Sequence, residues 1–178
     1  MGDCLLDRAD CGVWAMNPRK RRCVYVIGAL ANPMVPEIAN RLDREGYEAF
    51  ADWYSPGEEA DLKWQAYEYK RGRTYREAIN GYHARHVFEF DKFHLDRCDA
   101  GVLVLPAGKS GHLELGYLVG KNKRTFVLFD QEPRKFDVMY RFVDVVVFSV
   151  GELVVALKHV TWPRNTKPRP IAAYQSGL

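Results

Sequence analysis

Short apolar runs and amphipathic segments alternate along the central part of the chain. CVYVIGAL predicts a buried strand that ends at Gly28, and YEAFADWY predicts a second strand. Three more runs, AGVLVLP, TFVLF and VDVVVF, are rich in Val, Leu and Phe, as strands inside a parallel sheet are. Helical patterns separate most of these runs: PEIANRLDREG with a stop at Gly46, then 74–97, 111–121 and 150–159. The alternation predicts an α/β fold with a doubly wound, mainly parallel five-stranded sheet and helices on both faces.

Both ends of the chain depart from this alternation. Residues 1–20 have no sustained periodicity, and 161–178 contain three of the nine prolines. We therefore predict an N-terminal tail over 1–20, one domain over 21–160 and a Pro-rich C-terminal arm over 161–178. A chain of 178 residues, 47% of them hydrophobic, is long enough for one domain with a substantial core.

Residues 55–73 interrupt the alternation with mixed charge and three aromatic side chains, Trp64, Tyr67 and Tyr69. One interpretation is a surface excursion that contains a short helix. The other is a lid over a site, since long connections in compact domains are often functional. The sequence leaves both open.

Charge and hydropathy favour a soluble protein without a nucleic-acid partner. The net charge is only +3, and its positive cluster, PRKRRC at 18–23, is typical of a solvated lead-in to a strand. Asp3, Asp7 and Asp10 occupy the region where a signal peptide requires an apolar core, and no apolar run is long enough to span a bilayer. We predict a cytoplasmic protein that contacts no membrane.

The cysteines agree with that location. No two of them form a C-x-x-C pair, so reduced thiols in a cytosolic protein are the expectation. The four are Cys4, Cys11, Cys23 and Cys98.

Ligands of doubly wound sheets bind beyond the carboxyl ends of the strands. The segment after the first predicted strand, GALANP, lacks the G-x-G-x-x-G spacing of a dinucleotide site. GKS at 108–110 is reminiscent of a P-loop, but the required earlier glycine is Leu103, which argues against a nucleoside triphosphatase. The backbone N–H groups of Ser110, Gly111 and His112 could still hold one phosphate or hydroxyl at a helix start.

Glu114 is a carboxylate in an apolar setting. If 111–121 is a helix, Glu114 lies in its first turn and shares a face with Tyr117 and Leu118. A first-turn Glu can be purely structural, since the helix macrodipole stabilises it by roughly 0.3–1 kcal/mol. A buried functional acid is the other interpretation.

Asp91 is a second acid with an inward position. It falls in the middle of a stripe formed by Phe88, Leu95 and Cys98 on the long predicted helix. It could be a structural Asp paired with Arg97 or a backbone amide. Two inward acids near strand ends together suggest a site.

The histidines do not form a conventional metal motif. His83 and His86 are spaced i,i+3, with His94 further along and His112 beside Glu114. A zinc site requires a closed set of ligands, and no second cluster accompanies this one. We predict no metal and no cofactor.

Three segments within 23–159 form a recognisable set: VYVIGAL, then EFDKFHLDRCDAGVLVLPAGKSGHLELGYLVGKNKRTFVLFD, and FDVMYRF. Together they resemble the nucleoside 2-deoxyribosyltransferase family and its nucleoside 5′-monophosphate N-glycosidase relatives. The resemblance implies a flavodoxin-like fold with Glu114 as nucleophile. It also implies that Asp91 assists departure of the base and that Tyr25 lines the pocket.

The family's sugar and phosphate contacts carry over less directly. Transferases usually have an Asp at the position of Gly108 to hold the 5′-hydroxyl, whereas Lys109 and Ser110 here suit a 5′-phosphate, as in the nucleotide hydrolases. Asp137 falls near the place where transferases offer an Asn from a neighbouring subunit, so a homo-oligomer with shared active sites is expected. Candidate walls for stacking the base are Trp53, Tyr54 and Trp64. The complete set of expected substrate-binding residues is Gly28, Asn32, Asp52, Trp53, Gly108, Lys109, Ser110, Gly111, His112 and Asp137.

The resemblance implies a specific activity. The expected reaction is cleavage of the N-glycosidic bond of a 2′-deoxynucleoside or its 5′-monophosphate through a covalent adduct on Glu114. The sugar would then pass to another base or to water. Two alternatives remain open: an NAD-cleaving enzyme similar to TIR proteins, and a non-catalytic nucleotide-binding sensor.

Overall fold

The computed structural model of the protein describes residues 21–162. The predicted tail at 1–20 and nearly all of the predicted arm at 161–178 lie outside the described residues.

Five strands form one parallel sheet in the order β2-β1-β3-β4-β5. They are β1 (Cys23–Ile27), β2 (Glu48–Phe50), β3 (Ala100–Val104), β4 (Arg124–Leu128) and β5 (Val145–Val147). This is the flavodoxin-like order, whose first reversal lies between β1 and β3. The predicted α/β fold and its parallel sheet are confirmed.

Helices cover both faces of the sheet. They are α1 (Met34–Arg44), α2 (Ala60–Lys70), α3 (Tyr75–Ile79), α4 (Tyr82–Arg97), α5 (Lys109–Gly120) and α6 (Val150–His159). One core cluster joins α1 and α6 to the sheet, and a second joins α4 and α5 to its opposite face.

Strand β1 divides its side chains between these two cores. Val24 and Val26 belong to the α1 and α6 core, whereas Tyr25 and Ile27 belong to the α4 and α5 core. Successive side chains of a strand point to opposite faces, so this division follows from the alternation of the strand. The position of Tyr25 on the face covered by α4 and α5 places it in the candidate site.

The second predicted strand is shorter than the sequence indicated. The second strand ends at Phe50, and Asp52–Tyr54 forms a 3₁₀ turn instead of continuing the strand. The indole N–H of Trp53 donates to the carbonyl of Val26 at 2.8 Å, which anchors the turn against β1. A local apolar pattern could not reveal this contact, which joins residues 27 positions apart.

The predicted helix over 74–97 is two helices. α3 begins behind a capping box at Thr74 and Glu77, and α4 begins after Gly81. The connection 55–73 contains α2, as the interpretation with a short helix expected; the lid role stays a prediction.

Cys23 and Cys98 are joined in a disulfide, with their Cα atoms 4.6 Å apart. The expectation of reduced thiols is therefore wrong for this pair. The two cysteines are 75 residues apart in sequence, and they become neighbours because β1 and β3 pair.

Candidate active site

Tyr25, Asp91 and Glu114 come together where β1, α4 and α5 meet. The hydroxyl of Tyr25 hydrogen-bonds to Asp91, and burial together with the nearby charges of Glu114 and Asp91 raises the pKa of Tyr25 strongly. Tyr25 is only 1% exposed. The three residues proposed from sequence for the chemistry thus lie within electrostatic reach of one another.

Helical spacing explains why both acids face inward. Asp91 precedes the buried Leu95 by four residues on α4, and Glu114 precedes the fully buried Leu118 by four on α5. Residues at i and i+4 share a helix face, so each acid lies above the apolar side chain that anchors its helix to the sheet.

Burial shifts the pKa of Asp91 upward to about 6, partly offset by the hydrogen bond from Tyr25. Its Oδ1 atom is buried and has no hydrogen-bond partner. An unpaired acceptor at this depth is costly, and it is available to a ligand.

The pKa of Glu114 rises further, to about 8, because of burial first and the charge of Asp91 second. No positive charge from the described residues lowers either pKa. We call Asp91 and Glu114 the acid pair. With one pKa below neutrality and the other above it, the acid pair holds one proton and one negative charge near pH 7, and the two titrations belong to the pair as a whole.

Three sequence expectations about the acids are corrected. Glu114 is the sixth residue of α5 and not a first-turn residue, because α5 begins at Lys109 behind Gly108. The macrodipole acts within the first turn, so it does not account for this carboxylate. Phe88, expected on the buried stripe of Asp91, is 64% exposed. Arg97 pairs with Glu48, not with Asp91.

Gly28 and Asn32 shape the loop that follows β1. A Cβ at Gly28 would lie 2.5 Å from Val35 Cγ2, so only glycine fits there. The side-chain amide of Asn32 donates to the carbonyls of Val104 and Pro106 at 3.4 and 3.2 Å. Asn32 is buried, and its amide group links the loop after β1 to the loop after β3. We therefore expect it to hold these two loops in place and not to contact the reacting atoms.

Asp52 and Trp53 lie in the 3₁₀ turn after β2. Asp52 is exposed, and its charge acts on His94, whose ring stacks on Phe50. Trp53 is half-buried and packs against both cores. Because its indole N–H is engaged by Val26, only its ring face remains for stacking.

The start of α5 keeps two exposed polar side chains near the sheet edge, Lys109 and Ser110. Gly111 is buried, and a Cβ there would lie 3.1 Å from both Ile27 and Leu103. This close approach lets the helix begin directly over the ends of β1 and β3.

His112 and Asp137 do not join the acid pair. His112 lies two residues before Glu114, which places it on a different side of α5. Its ring bonds Gly108 O at 2.8 Å and Tyr140 Oη at 2.9 Å, and the Asp137 carboxylate accepts from Met139 N at 2.9 Å. His112 and Asp137 border a largely apolar groove of about 430 Å³.

The chain is similar in fold to solved structures, although its sequence matches no family. No protein-family model matches the chain, and no curated protein matches it. Among solved structures, the chain is similar to the Clostridium botulinum CMP N-glycosidase BcmB. The similarity covers 77% of this chain and 99% of that one, with 14% sequence identity and a TM-score of 0.48.

Residues 21–162 contain neither a candidate metal site nor a candidate membrane span. Within that range, no three His, Cys, Asp or Glu side chains are grouped so as to hold a metal ion. None of the helices there combines the length and the apolar character needed to cross a bilayer. The prediction of a metal-free site stays a prediction.

A link between α4 and α5 went unnoticed in the sequence. The Tyr117 hydroxyl donates to Asp96 Oδ1 at 2.5 Å, and Lys123 Nζ donates to the carbonyl of Leu95 at 2.7 Å. From the sequence, Tyr117 is expected only as an apolar neighbour of Glu114. Its partner lies 21 residues away on another helix, so the sequence contains no local signal for it.

Proposed function

We propose that this protein cleaves the N-glycosidic bond of 2′-deoxynucleosides or their 5′-monophosphates through a covalent adduct on Glu114. The 2-deoxyribosyl group then passes to another nucleobase or to water. One observation carries the proposal: two partly buried acids, Asp91 and Glu114, lie beside the buried Tyr25, and the pKa of each acid is raised.

The first step needs one ionised and one protonated acid. As the bond from C1′ to the base nitrogen breaks, positive charge develops on the sugar ring, and the Glu114 carboxylate attacks C1′ to form an ester-like bond. The proton of the pair, held by Asp91, moves to the base as it leaves. In the second step Asp91 accepts a proton from the incoming base or water, which displaces Glu114.

In the empty site the proton of the acid pair lies on Glu114, whereas the first step needs it on Asp91; the two requirements are compatible. In the empty site the higher pKa belongs to Glu114, so the single proton favours that residue. An electropositive sugar against Glu114 stabilises its anion, and the proton then favours Asp91. Both arrangements contain the same number of protons, so the change requires only a shift within the pair.

Tyr25 supports Asp91 in this scheme. Its hydroxyl holds the carboxylate, while the unpaired Oδ1 remains available to the base. Because Tyr25 is fixed within β1 and buried, it also limits the rotamers of Asp91.

Substrate phosphate has a suitable place at the start of α5. Lys109 and Ser110 are exposed there, and the first backbone N–H groups of a helix attract anions. We assign them to the 5′-phosphate of a nucleotide substrate, with Trp53 presenting a ring face for stacking.

The decisive assay compares base exchange with the release of free sugar. A panel of nucleosides and their 5′-monophosphates is incubated with and without a second base, using wild-type protein and Glu114→Ala. We expect turnover in the wild type and loss of it in the variant, and the exchange ratio separates transfer from hydrolysis. An undiminished rate in Glu114→Ala would remove the mechanism, and nicotinamide release from NAD without nucleotide turnover would replace the function.

A further inference from the structure

Only two buried side-chain polar atoms among residues 21–162 lack a hydrogen-bond partner: Asp91 Oδ1 and Trp64 Nε1. One is an acceptor and the other a donor. A buried group without a partner destabilises the folded state, so each requires an explanation. The proposed reaction accounts for Asp91 and leaves Trp64 unexplained.

Trp64 lies on α2 and faces α4. Its ring stacks on His83 with centroids 5.9 Å apart and an interplanar angle of 28°. It belongs to neither of the two core clusters. The contact between α2 and α4 therefore shelters the indole, without making it part of the apolar core.

A cavity of about 500 Å³ adjoins this contact. Its lining includes His83, which stacks on Trp64, together with Tyr67 and Glu68. These last two follow Trp64 by three and four residues and so share its face of α2. Glu68 Oε2 accepts from Arg73 at 3.0 Å, and the Glu68 carboxylate does not accept from the Trp64 indole, whose N–H has no partner.

The direction of α4 relates this region to the acid pair. α4 leads at its C-terminal end into the start of β3, so its N-terminal half projects toward the carboxyl edge of the sheet, where ligands bind. His83 precedes Asp91 by eight residues on α4, about 12 Å along the axis. A sugar held at Glu114 with its base beside Asp91 would extend that base outward toward the Trp64 indole.

We propose that Trp64 reads the outer edge of the substrate base, donating its indole N–H to an oxo group there. The site would then select bases with an outer oxo group, as in uracil and hypoxanthine, over their amino counterparts, cytosine and adenine. This inference rests on the proposed function, because it assigns the base specificity of the same site.

The selectivity follows from hydrogen-bond matching. An oxo group accepts from the indole and satisfies its donor, whereas an amino group presents a second donor to it. A site built around a buried hydrogen bond rejects an analogue that cannot form it more strongly than an apolar pocket rejects a change of size. A single neutral bond of this kind corresponds to a preference on the order of 10–100-fold in kcat/KM.

Two matched pairs of nucleotides test the inference. We expect wild-type protein to cleave 2′-deoxyuridine 5′-monophosphate faster than 2′-deoxycytidine 5′-monophosphate, and 2′-deoxyinosine 5′-monophosphate faster than 2′-deoxyadenosine 5′-monophosphate. Trp64→Phe, which keeps an aromatic ring without the N–H, should bring both ratios near one. Equal rates within the pairs in the wild type, or unchanged ratios in the variant, would overturn the inference.

A second readout is independent of turnover. In the Glu114→Gln protein, the indole N–H resonance that Trp64→Phe removes should move downfield when 2′-deoxyuridine 5′-monophosphate is added, and stay unmoved with the cytidine analogue. If none of the four nucleotides releases its base, the proposed function fails. If this resonance does not respond, the role of Trp64 fails, whatever the turnover.

Trp53→Phe is the matched control for stability. Trp53 donates to Val26 at 2.8 Å, so its replacement loses a hydrogen bond as well as ring volume. Trp64→Phe loses volume only, and we expect the smaller fall in Tm for it. A larger fall for Trp64→Phe would indicate a structural donor and contradict the assignment. The wild-type ratios do not depend on the folding of either variant.

Discussion

Burial and mutual repulsion determine the chemistry of Asp91 and Glu114. A carboxylate removed from water binds its proton more tightly, and a second carboxylate nearby strengthens the effect. The consequence is a pair that ionises in two separated steps around neutrality, as an acid and a nucleophile acting together require.

Replacing Glu114 and replacing Asp91 should both reduce turnover, but by different amounts. We expect Glu114→Gln to lower kcat on the order of 10³-fold or more, because no adduct can form. Asp91→Asn should lower it by about 10²–10⁴-fold through loss of the general acid, with a smaller loss for bases that leave easily. Chromatography of the released free base measures kcat for both variants. Glu37→Gln, at an exposed position of α1, is the control, and an equal loss there would void the comparison.

The rate should depend on pH as a bell. Only the pair with one proton is active, so kcat/KM should rise through about 6 and fall through about 8. In Asp91→Asn the charge that helps raise the pKa of Glu114 is gone, and the alkaline limb of the residual activity should disappear. If kcat/KM of the wild type neither rose through about 6 nor fell between about 8 and 10, the claim that the pair shares one proton would be contradicted.

Stability should fall as the pH rises. Glu114 has an ordinary pKa of 4.5 in the unfolded chain and about 8 when folded, so the folded state binds the proton more tightly. The stability that this proton contributes is complete below 4.5 and lost as the pH rises through 8. We expect the free energy of unfolding in urea to drop by ~2–4 kcal/mol from pH 5 to pH 9. Glu114→Gln should flatten this slope, and an unaltered slope would place the titration elsewhere.

The sequence indicated the identity of the acids but not their surroundings. Helical periodicity and the family resemblance together singled out Asp91 and Glu114, and the structure brings these two together with Tyr25. The sequence could not predict that the indole N–H of Trp64 lacks a hydrogen-bond partner, because this depends on which side chains meet between α2 and α4. Phe88 does not join the core, because the described contacts of α4 with the core are made by Leu95 near its C-terminal end.

Among the elements, α4 and α5 carry one acid each, so their separation sets the geometry of the pair. Tyr117 and Asp96 link the two helices, and burial of the Tyr117 hydroxyl is incomplete. We expect Tyr117→Phe to lower the free energy of unfolding by about 1 kcal/mol in urea titrations and to reduce kcat more than it changes KM. Tyr69→Phe, an exposed tyrosine on α2, is the matched control. A variant indistinguishable from wild type in both measurements would show that the link does not position the acids.

Element boundaries depended on contacts that local patterns omit. The strand pattern of YEAFADWY continued past Phe50, but the indole of Trp53 reaches back to β1 and turns the chain. The break between α3 and α4 lies at Asn80 and Gly81, and apolar periodicity alone does not predict it. The longer buried strands were predicted well, since burial on both faces gives continuous apolar runs.

At the scale of the whole molecule, the alternation of strands and helices was sufficient for the parallel sheet. The pairing of Cys23 with Cys98 was not accessible, because it depends on the adjacency of β1 and β3. The family resemblance also implies a homo-oligomer with shared sites. Light scattering should give a mass at least twice the 20.5 kDa of the chain, and a fully active monomer would contradict that expectation.

The most direct test of the central claim looks for the adduct itself. Wild-type protein is mixed in excess with the nucleotide that it cleaves best, quenched in acid within the first turnover, digested and analysed by mass spectrometry. We expect the peptide containing Glu114 to gain the mass of the sugar moiety. We also expect the adduct to persist longer in Asp91→Asn, because displacing the sugar from Glu114 also needs a base. Release of base with the peptide unmodified at every quench time, or with the sugar on another residue, would contradict it.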